Sequence, residues 1–520
     1  MASFNTAETV ASQVKDGDTI ALTGSGSLLV ADKVLEAIEK RFLTTGSPRN
    51  LTLVHALGIG DAADRGLSRL AHKGLVKRVI GGHWSWSPRM QKLAVENEIE
   101  AYAIPGGVIG TLLRESGARR PGLITRTGIG SFVDPRIDGG RLNSSAKEDI
   151  VEVIEIGGEE FLRYLPIKVD LAIIKASISD SDGNVSFSHE PSFLDSFSLA
   201  LGARGNGGKV VVQVKEVVDA GTIPPMSVHI PSTLTDEIVV DPEQWQTYES
   251  EFNPAFHSPK FMSGQQDEPA PQWLDDAKMI IVRRAAQEVQ DGDVVNVGFG
   301  MSSSVVDVLR AEGRIDRISL AIEQGAVGGN PVSGALFGVS EFPQAVIPST
   351  MQFDSFATKL IDCAVLGMGE LDVHGNVNVS KLGGNPVGPG GFIDIIHGAK
   401  KSVFCGTFST KGLQVSATSA GLSLESEGSI IKVVDRVEQI TFASSAARQD
   451  DRSAIYVTER AVFEMSANGI TLIEIAPGVD PEKDVIAHLP PGVETSNWKL
   501  MDVEHFRKTF ESSTSRKAEK

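Results

Sequence analysis

An acidic side chain at the mouth of an apolar run, with nothing bulky behind it, is placed to attack or to be attacked. Glu323 is such a residue: it follows SLAI (319–322), which reads as a buried strand, and it opens the turn QGAVGG (324–329). Glycine at 325, 328 and 329 lets the backbone take positive φ and lets another molecule come close to it. The competing reading is a strand-end glutamate that merely faces water, and this stretch alone leaves both open.

Three further glycine clusters could hold a ligand. The elbows Gly24-Ser25-Gly26 and Gly298-Phe299-Gly300 each follow an apolar run and lead into helical spacing, the place where a dinucleotide fingerprint sits. Leu29 and Ser303 stand where the third glycine belongs, and no acidic residue ends a second strand at a suitable distance, so nicotinamide chemistry is disfavoured. What survives is the physics of an elbow: amides at a helix N-terminus can hold an anionic oxygen or a phosphate. Ser302 and Ser303 also suit plain helix capping, and the two roles are compatible. The run GGNPVGPGGFID (383–394) is the densest glycine cluster, and it reads as a ligand-facing wall with amides turned inward rather than as a solvent loop. His83, in GGHWSWSP (81–88), reads as a packing residue rather than a catalytic one. No CxxC, HxxxH or carboxylate-rich loop suggests a metal site, and the absence of G-x-S-x-G disfavours a serine hydrolase.

The elements that must position these residues alternate between strand and helix. TIAL (19–22), LTLVHAL (51–57), VKRVIGG (76–82), Ile99–Ile104 and Val169–Ile174 read as strands. LLVADKVLEAIEKRF (28–42) and a segment near 64–74 read as helices. The expected fold class is therefore α/β, with open parallel sheets covered on both faces. The pattern then restarts. VKDGDTI (14–20) is echoed by VQDGDVV (289–295), and VDLAII…DGNV (169–185) by IDCAVL…HGNV (361–377), in the same order. Two ordered pairs predict two tandem domains of one fold with the active site at their interface: 1–240, and 275–511 carrying Glu323. A polar, proline-dotted linker laid over the surface is expected at 241–274, and a frayed tail at 512–520.

At 520 residues the chain exceeds one ordinary core. A formal net charge of −18 argues against nucleic-acid and anionic-membrane partners, while leaving a phosphorylated small ligand open. The two cysteines, Cys363 and Cys405, sit in apolar runs and read as buried thiols of a reducing compartment. The N-terminus carries no apolar signal core, and no apolar stretch approaches a membrane span, so a cytoplasmic location is the expectation.

With Glu323 in a strand-to-glycine turn, the Gly298-Phe299-Gly300-Met301 elbow before it and the Gly388-Pro389-Gly390-Gly391 loop after it, the whole chain resembles the fused family I coenzyme A transferases. The stretches GGHWSWSPRMQKLAVENEIEAYAIPGGVI and IEQGAVGGNP are most similar to the acetate and propionate type. The 3-oxoacid enzymes usually have Asn after the glutamate, where this chain has Gln324. The resemblance implies that Glu323 becomes acylated and then forms a thioester with coenzyme A. It implies a CoA and oxyanion site from Gly298, Phe299, Gly300, Met301, Ser302, Val387, Gly388, Gly390 and Gly391, and an acid pocket bordered by Gly24, Ser25, Gly26, Gly106, Gly107 and Gln324. It further implies that CoA is substrate and covalent intermediate with no tightly bound cofactor, and that the chain forms a homotetramer or dimer. A thioester hydrolase using the same glutamate, or a non-catalytic sensor of a phosphorylated metabolite, are the rival readings.

Overall fold

The computed structural model of the chain describes residues 2–258 and 274–507. Contacts divide them into two compact units, each built on an eight-stranded sheet. In the first unit the strands Ser3–Asn5, Glu237–Val240, Lys209–Val214, Leu171–Lys175, Thr19–Leu22, Leu51–His55, Val76–Gly81 and Glu100–Ala103 lie side by side in that order. Every neighbouring pair is parallel. The central strand Leu171–Lys175 is buried at all five positions, as a strand covered on both faces requires.

The second unit repeats the theme with a variation. Strands Ser319–Leu320, Val294–Val297, Cys363–Gly367, Lys401–Cys405 and Ser453–Val457 are parallel neighbours. Ala461–Ser466 and Gly469–Ile475 then extend the sheet antiparallel as hairpins, and Lys499–Leu500 closes it parallel to Gly469–Ile475, an extension the first unit lacks. Cys363 and Cys405 are free and buried within this sheet.

The internal echo holds down to individual hydrogen bonds. The Asp18 carboxylate accepts the Lys15 N–H at 2.8 Å, as Asp293 accepts that of Gln290 at 2.8 Å. Thr19 N–H donates to Asp170 at 3.0 Å, and Val294 N–H to Asp362 at 2.9 Å. Asp180 accepts the Asp182 and Asn184 N–H groups and the Asn184 amide, and Asp372 does the same for His374 and Asn376. In both units the chain turns away on either side of one central strand pair, leaving a crevice at the carboxyl ends, and each glycine elbow sits at that switch point.

Three expectations need correction. The segment near 64–74 is a short 3-10 turn, Gly66–Leu70, because Gly66 takes φ +62° and a Cβ there would lie 2.8 Å from Gly60. The units do not follow chain order: residues 322–355 and 383–394 group with residues 2–258, so Glu323 belongs to the first unit, not to the unit holding the rest of the C-terminal half. The described part of the expected linker is no surface strap either. Gln244, Gln246 and Thr247 are buried, Gln244 donates to Ala176 O, and the buried Lys175 donates to Gln246 O at 2.8 Å. The polar composition that suggested a solvated linker serves instead to satisfy backbone groups at the carboxyl ends of the first sheet. Residues 259–273 and the tail 512–520 lie outside the described residues.

Candidate active site

Glu323 and Gln324 form the apex of a tight turn. Gly325 N–H donates to Ile322 O at 2.9 Å, and Ile322 N–H to Ala326 O at 2.9 Å. Gly325 makes the turn possible: its φ is +110°, and a Cβ would lie 1.9 Å from Ile347 O. The antiparallel pair of Ala326–Val327 with Ala345–Val346 then seals the base.

The turn points inward. Glu323 is 7% exposed and Gln324 2%, which removes the reading of a glutamate facing water. A carboxylate so placed has lost much of its hydration and needs fixed polar partners. Gln324 Nε2 supplies one, reaching Glu323 Oε1 at 3.4 Å and Ser25 Oγ at 3.2 Å, while Ser192 Oγ donates to Gln324 O at 2.5 Å. Gln324 Oε1 is buried without a hydrogen-bond partner among the described residues.

Gly391 lies against the glutamate: a Cβ there would be 3.3 Å from Glu323 Cγ and 3.0 Å from the Phe353 ring. The loop carrying Gly391 is fastened on two sides. Trp84 N–H donates to Val387 O at 2.8 Å and Gly390 N–H to Gly82 O at 2.7 Å, while Gly106 N–H donates to Gly390 O at 2.8 Å. Gly388 takes φ +78°, and a Cβ there would lie 2.5 Å from Gly82 O. The run is therefore packed from Pro386 onward, while Gly383, Gly384 and Asn385 are exposed and form no wall.

These bonds change which amides can serve an oxyanion. The Gly390, Gly106 and Gly107 N–H groups are already engaged, the last by Asp394 Oδ2 at 3.0 Å. The first elbow is closed in the same way: Ser25 N–H donates to Leu28 O and Gly26 N–H to Gly58 O, and the following helix begins only at Asp32. Gly24 packs on Ile59, and Gly26 faces Ala335 O. This elbow thus holds no anion by its Ser25 and Gly26 amides, contrary to the reading of both elbows as open. In the second unit, Gly298 N–H donates to Val365 O, and Gly300 and Met301 are the first residues of the 3-10 turn Gly300–Ser304. Amides at those positions have no partner within the turn. Phe299 is 54% exposed, and Ser302 Oγ donates to Gly298 O at 3.1 Å.

Neither Asp394 nor Phe353 stands out by local pattern, yet the fold sets them beside Gly107 and Gly391. Asp394 closes the glycine run and opens the helix Phe392–Gly398, a position that reads as ordinary first-turn acid. His83 packs on Gly390 and Gly388; desolvation and the facing His55 lower it to about 4, so its ring is neutral. Among the described residues no three His, Cys, Asp or Glu side chains stand together as a metal site, and no helix is long and apolar enough to cross a membrane.

Comparison with known proteins agrees on one family. The description "Coenzyme A transferase" matches residues 4–241. The acetate CoA-transferase YdiF of Escherichia coli K12 is 38% identical over 509 residues, 95% of this chain and 93% of that protein. The caffeate CoA-transferase of Acetobacterium woodii is 38% identical over 497 residues, 94% of each chain. The crystal structure of E. coli O157:H7 YdiF as a thioester complex with CoA superposes with a TM-score of 0.91 at 37% identity, covering 98% of this chain and 96% of that one.

Proposed function

The chain belongs to the coenzyme A transferase family and is a CoA-transferase, and from that premise we propose that it moves CoA between a short-chain acyl-CoA and a free carboxylic acid, of the acetate or propionate type, through Glu323. The observation that carries the assignment is a carboxylate buried to 7% at the apex of a fixed turn, against a glycine backbone. A carboxylate is a weak nucleophile in water, and desolvation with fixed orientation is what activates it.

In the proposed cycle a Glu323 oxygen attacks the donor thioester carbonyl and expels CoA as thiolate, leaving a mixed anhydride. The thiolate attacks the Glu323 carbonyl, the first acid leaves as its carboxylate, and Glu323 carries CoA as a thioester. The acceptor carboxylate attacks that thioester, and the released thiolate takes the acceptor's acyl carbonyl, restoring Glu323. No step needs water, so closure against water protects the intermediates. Each tetrahedral intermediate carries an oxyanion. With Gly390 N–H engaged by Gly82, the Gly391 amide is the donor proposed within this loop, and Gly300 and Met301 are proposed for the elbow of the second unit. Gly298, Phe299, Ser302, Val387 and Gly388 are proposed to bind CoA, and Ser25 and Gln324 to border the acid through their side chains. Gly24, Gly26, Gly106 and Gly107 act through backbone fit. A cytoplasmic homo-oligomer, tetramer or dimer, completes the proposal.

Exchange kinetics test it. Glu323→Gln removes the nucleophile and is expected to abolish acid-dependent exchange while leaving the melting temperature near that of the parent. Glu323→Asp withdraws the oxygen by one methylene and is expected to lose at least about 10²-fold. Full exchange in a Glu323→Gln protein shown by mass to be undeamidated refutes the assignment. CoA release that ignores added acid points to a thioester hydrolase.

A further inference from the structure

We propose that Ser192 is a positioning residue for the reaction: its hydroxyl locks the peptide that follows Glu323 and, through Gln324, holds the nucleophilic carboxylate in its attacking position. The inference deepens the glutamyl-CoA reading above and rests on it.

Ser192 is buried, and its oxygen works in both directions. Oγ accepts the Leu194 N–H at 3.0 Å and donates its own hydrogen to Gln324 O at 2.5 Å. A hydroxyl has a single hydrogen, so these two bonds fix its direction. The carbonyl it holds belongs to the peptide joining Gln324 to Gly325, at the apex of the turn. The Gln324 side chain is held as well. A Cβ at Gly338 would lie 2.6 Å from Gln324 Cγ, and Nε2 stands 3.2 Å from Ser25 Oγ and 3.4 Å from Glu323 Oε1. Gln324 thus links the serine to the nucleophile through its own backbone and amide.

The segment 188–195, SHEPSFLD, is built to present that hydroxyl. Its front is anchored by the buried pair of Lys175 with Glu190 at 2.9 Å, and by His189 N–H donating to Ser177 Oγ at 3.0 Å. At its end Leu194 takes φ +45°, a conformation leucine rarely adopts. Both backbone groups of Leu194 are used: N–H donates to Ser192, and O accepts Ser349 N–H at 2.9 Å. Ile347 N–H in turn donates to Gly325 O at 3.0 Å. Ser192, Gln324, Gly325, Ile347, Ser349 and Leu194 therefore close one ring of hydrogen bonds and chain. A strained residue held on both sides marks a conformation that its surroundings over-determine, and such strain gathers at functional sites.

The proposed chemistry explains why a backbone bond is used. Glu323 passes from carboxylate to anhydride to thioester and back, so a contact made to its side-chain oxygens changes at each step. The bond from Ser192 ends on a peptide carbonyl that no step alters. It keeps the turn, and with it the reacting carbon, in one place through the whole cycle.

Single-turnover kinetics test the role. Enzyme is mixed with acetyl-CoA without acceptor acid and quenched at intervals, and the CoA adduct on the Glu323 peptide is read by mass. Ser192→Ala is expected to form the adduct roughly 10-fold more slowly, with the acetyl-CoA concentration at half-maximal rate within about 2-fold of the parent's. Ser177→Ala is the control, since it removes a hydrogen bond from the same segment without touching the turn. It is expected to lower the melting temperature yet form adduct at the parental rate. A parental rate in Ser192→Ala, or an equal slowing in Ser177→Ala, overturns the proposal while the glutamyl-CoA reading stands. Should Ser192→Ala fail to fold, Ser192→Cys, whose thiol is a weak donor, carries the same expectation, and a parental rate there overturns the proposal. No adduct in the active parent protein overturns the glutamyl-CoA reading and this inference with it.

Discussion

Replacing Gly391 by alanine perturbs the nucleophile with a single methyl. Gly391 does not need positive φ, so alanine can adopt its backbone, and the added Cβ would lie 3.3 Å from Glu323 Cγ and 3.0 Å from Phe353 Cε1 and Cζ. Carbon atoms rest comfortably at about 3.5–4.0 Å, so the methyl must push its neighbours by about 0.5 Å. Overpacking of this kind costs roughly 1–3 kcal/mol of stability. A misplacement of 1 Å at a reacting group costs about 10²-fold, so half of that predicts a loss of about 10-fold in kcat. Gly390→Ala supplies the contrast. Its Cβ would meet only His83, at 3.7 and 3.8 Å, so its cost is the conformational one of φ +53°, on the order of 1–2 kcal/mol. Initial rates of acid-dependent exchange, measured with melting curves for both variants, separate the two effects. Gly391→Ala should lose the more activity, with a donor KM close to the parent's. An unchanged kcat in Gly391→Ala, or a loss no greater than in Gly390→Ala, refutes the idea that Gly391 sets the position of Glu323.

Gly325→Ala is expected to fail at the level of folding, since its Cβ would lie 1.9 Å from Ile347 O at a φ of +110°; soluble protein with a parental melting temperature would contradict this. Asp195→Asn addresses pH. The folded carboxyl, raised by burial to about 7, binds its proton more tightly than the unfolded one, so it weakens the fold as pH rises from the ordinary carboxylate range through about 7. The parent should therefore lose stability over that interval, by up to about 4 kcal/mol from this group, and Asp195→Asn should lose less. Chemical denaturation at pH 4.5 and pH 7.5 checks the sign, and a difference between variant and parent that does not change with pH contradicts it.

The sequence carried the architecture because its signals are local. Strand runs such as TIAL (19–22) and VKRVIGG (76–82), the Asp-Gly-Asp turns and the paired DGN and HGN turns each encode their own hydrogen bonds, and both copies form them. Glu323 and its glycine turn were legible for the same reason, since Gly325 marks a backbone position that admits nothing larger. What was not legible depends on partners far apart in sequence. Whether the Gly26 amide is open is decided by Gly58 O, and the Gly298 amide by Val365 O, not by the elbow, and both elbows look alike in one dimension. Asp394 and Phe353 matter through glycines nearly 250 or more residues away at Gly107, and no local pattern announces a neighbour by its missing Cβ. The polar segment around Gln244 and Gln246 has a linker's composition, yet its side chains answer backbone groups at Ala176 and His189.

The central claim is that Glu323 carries CoA during turnover, and trapping that species tests it most directly. Enzyme is incubated with acyl-CoA, treated with borohydride, digested and read by peptide mass. Reduction of Glu323 to its alcohol is expected, dependent on acyl-CoA and suppressed when acceptor acid is added to discharge the thioester. Active enzyme whose Glu323 peptide is never modified would contradict it.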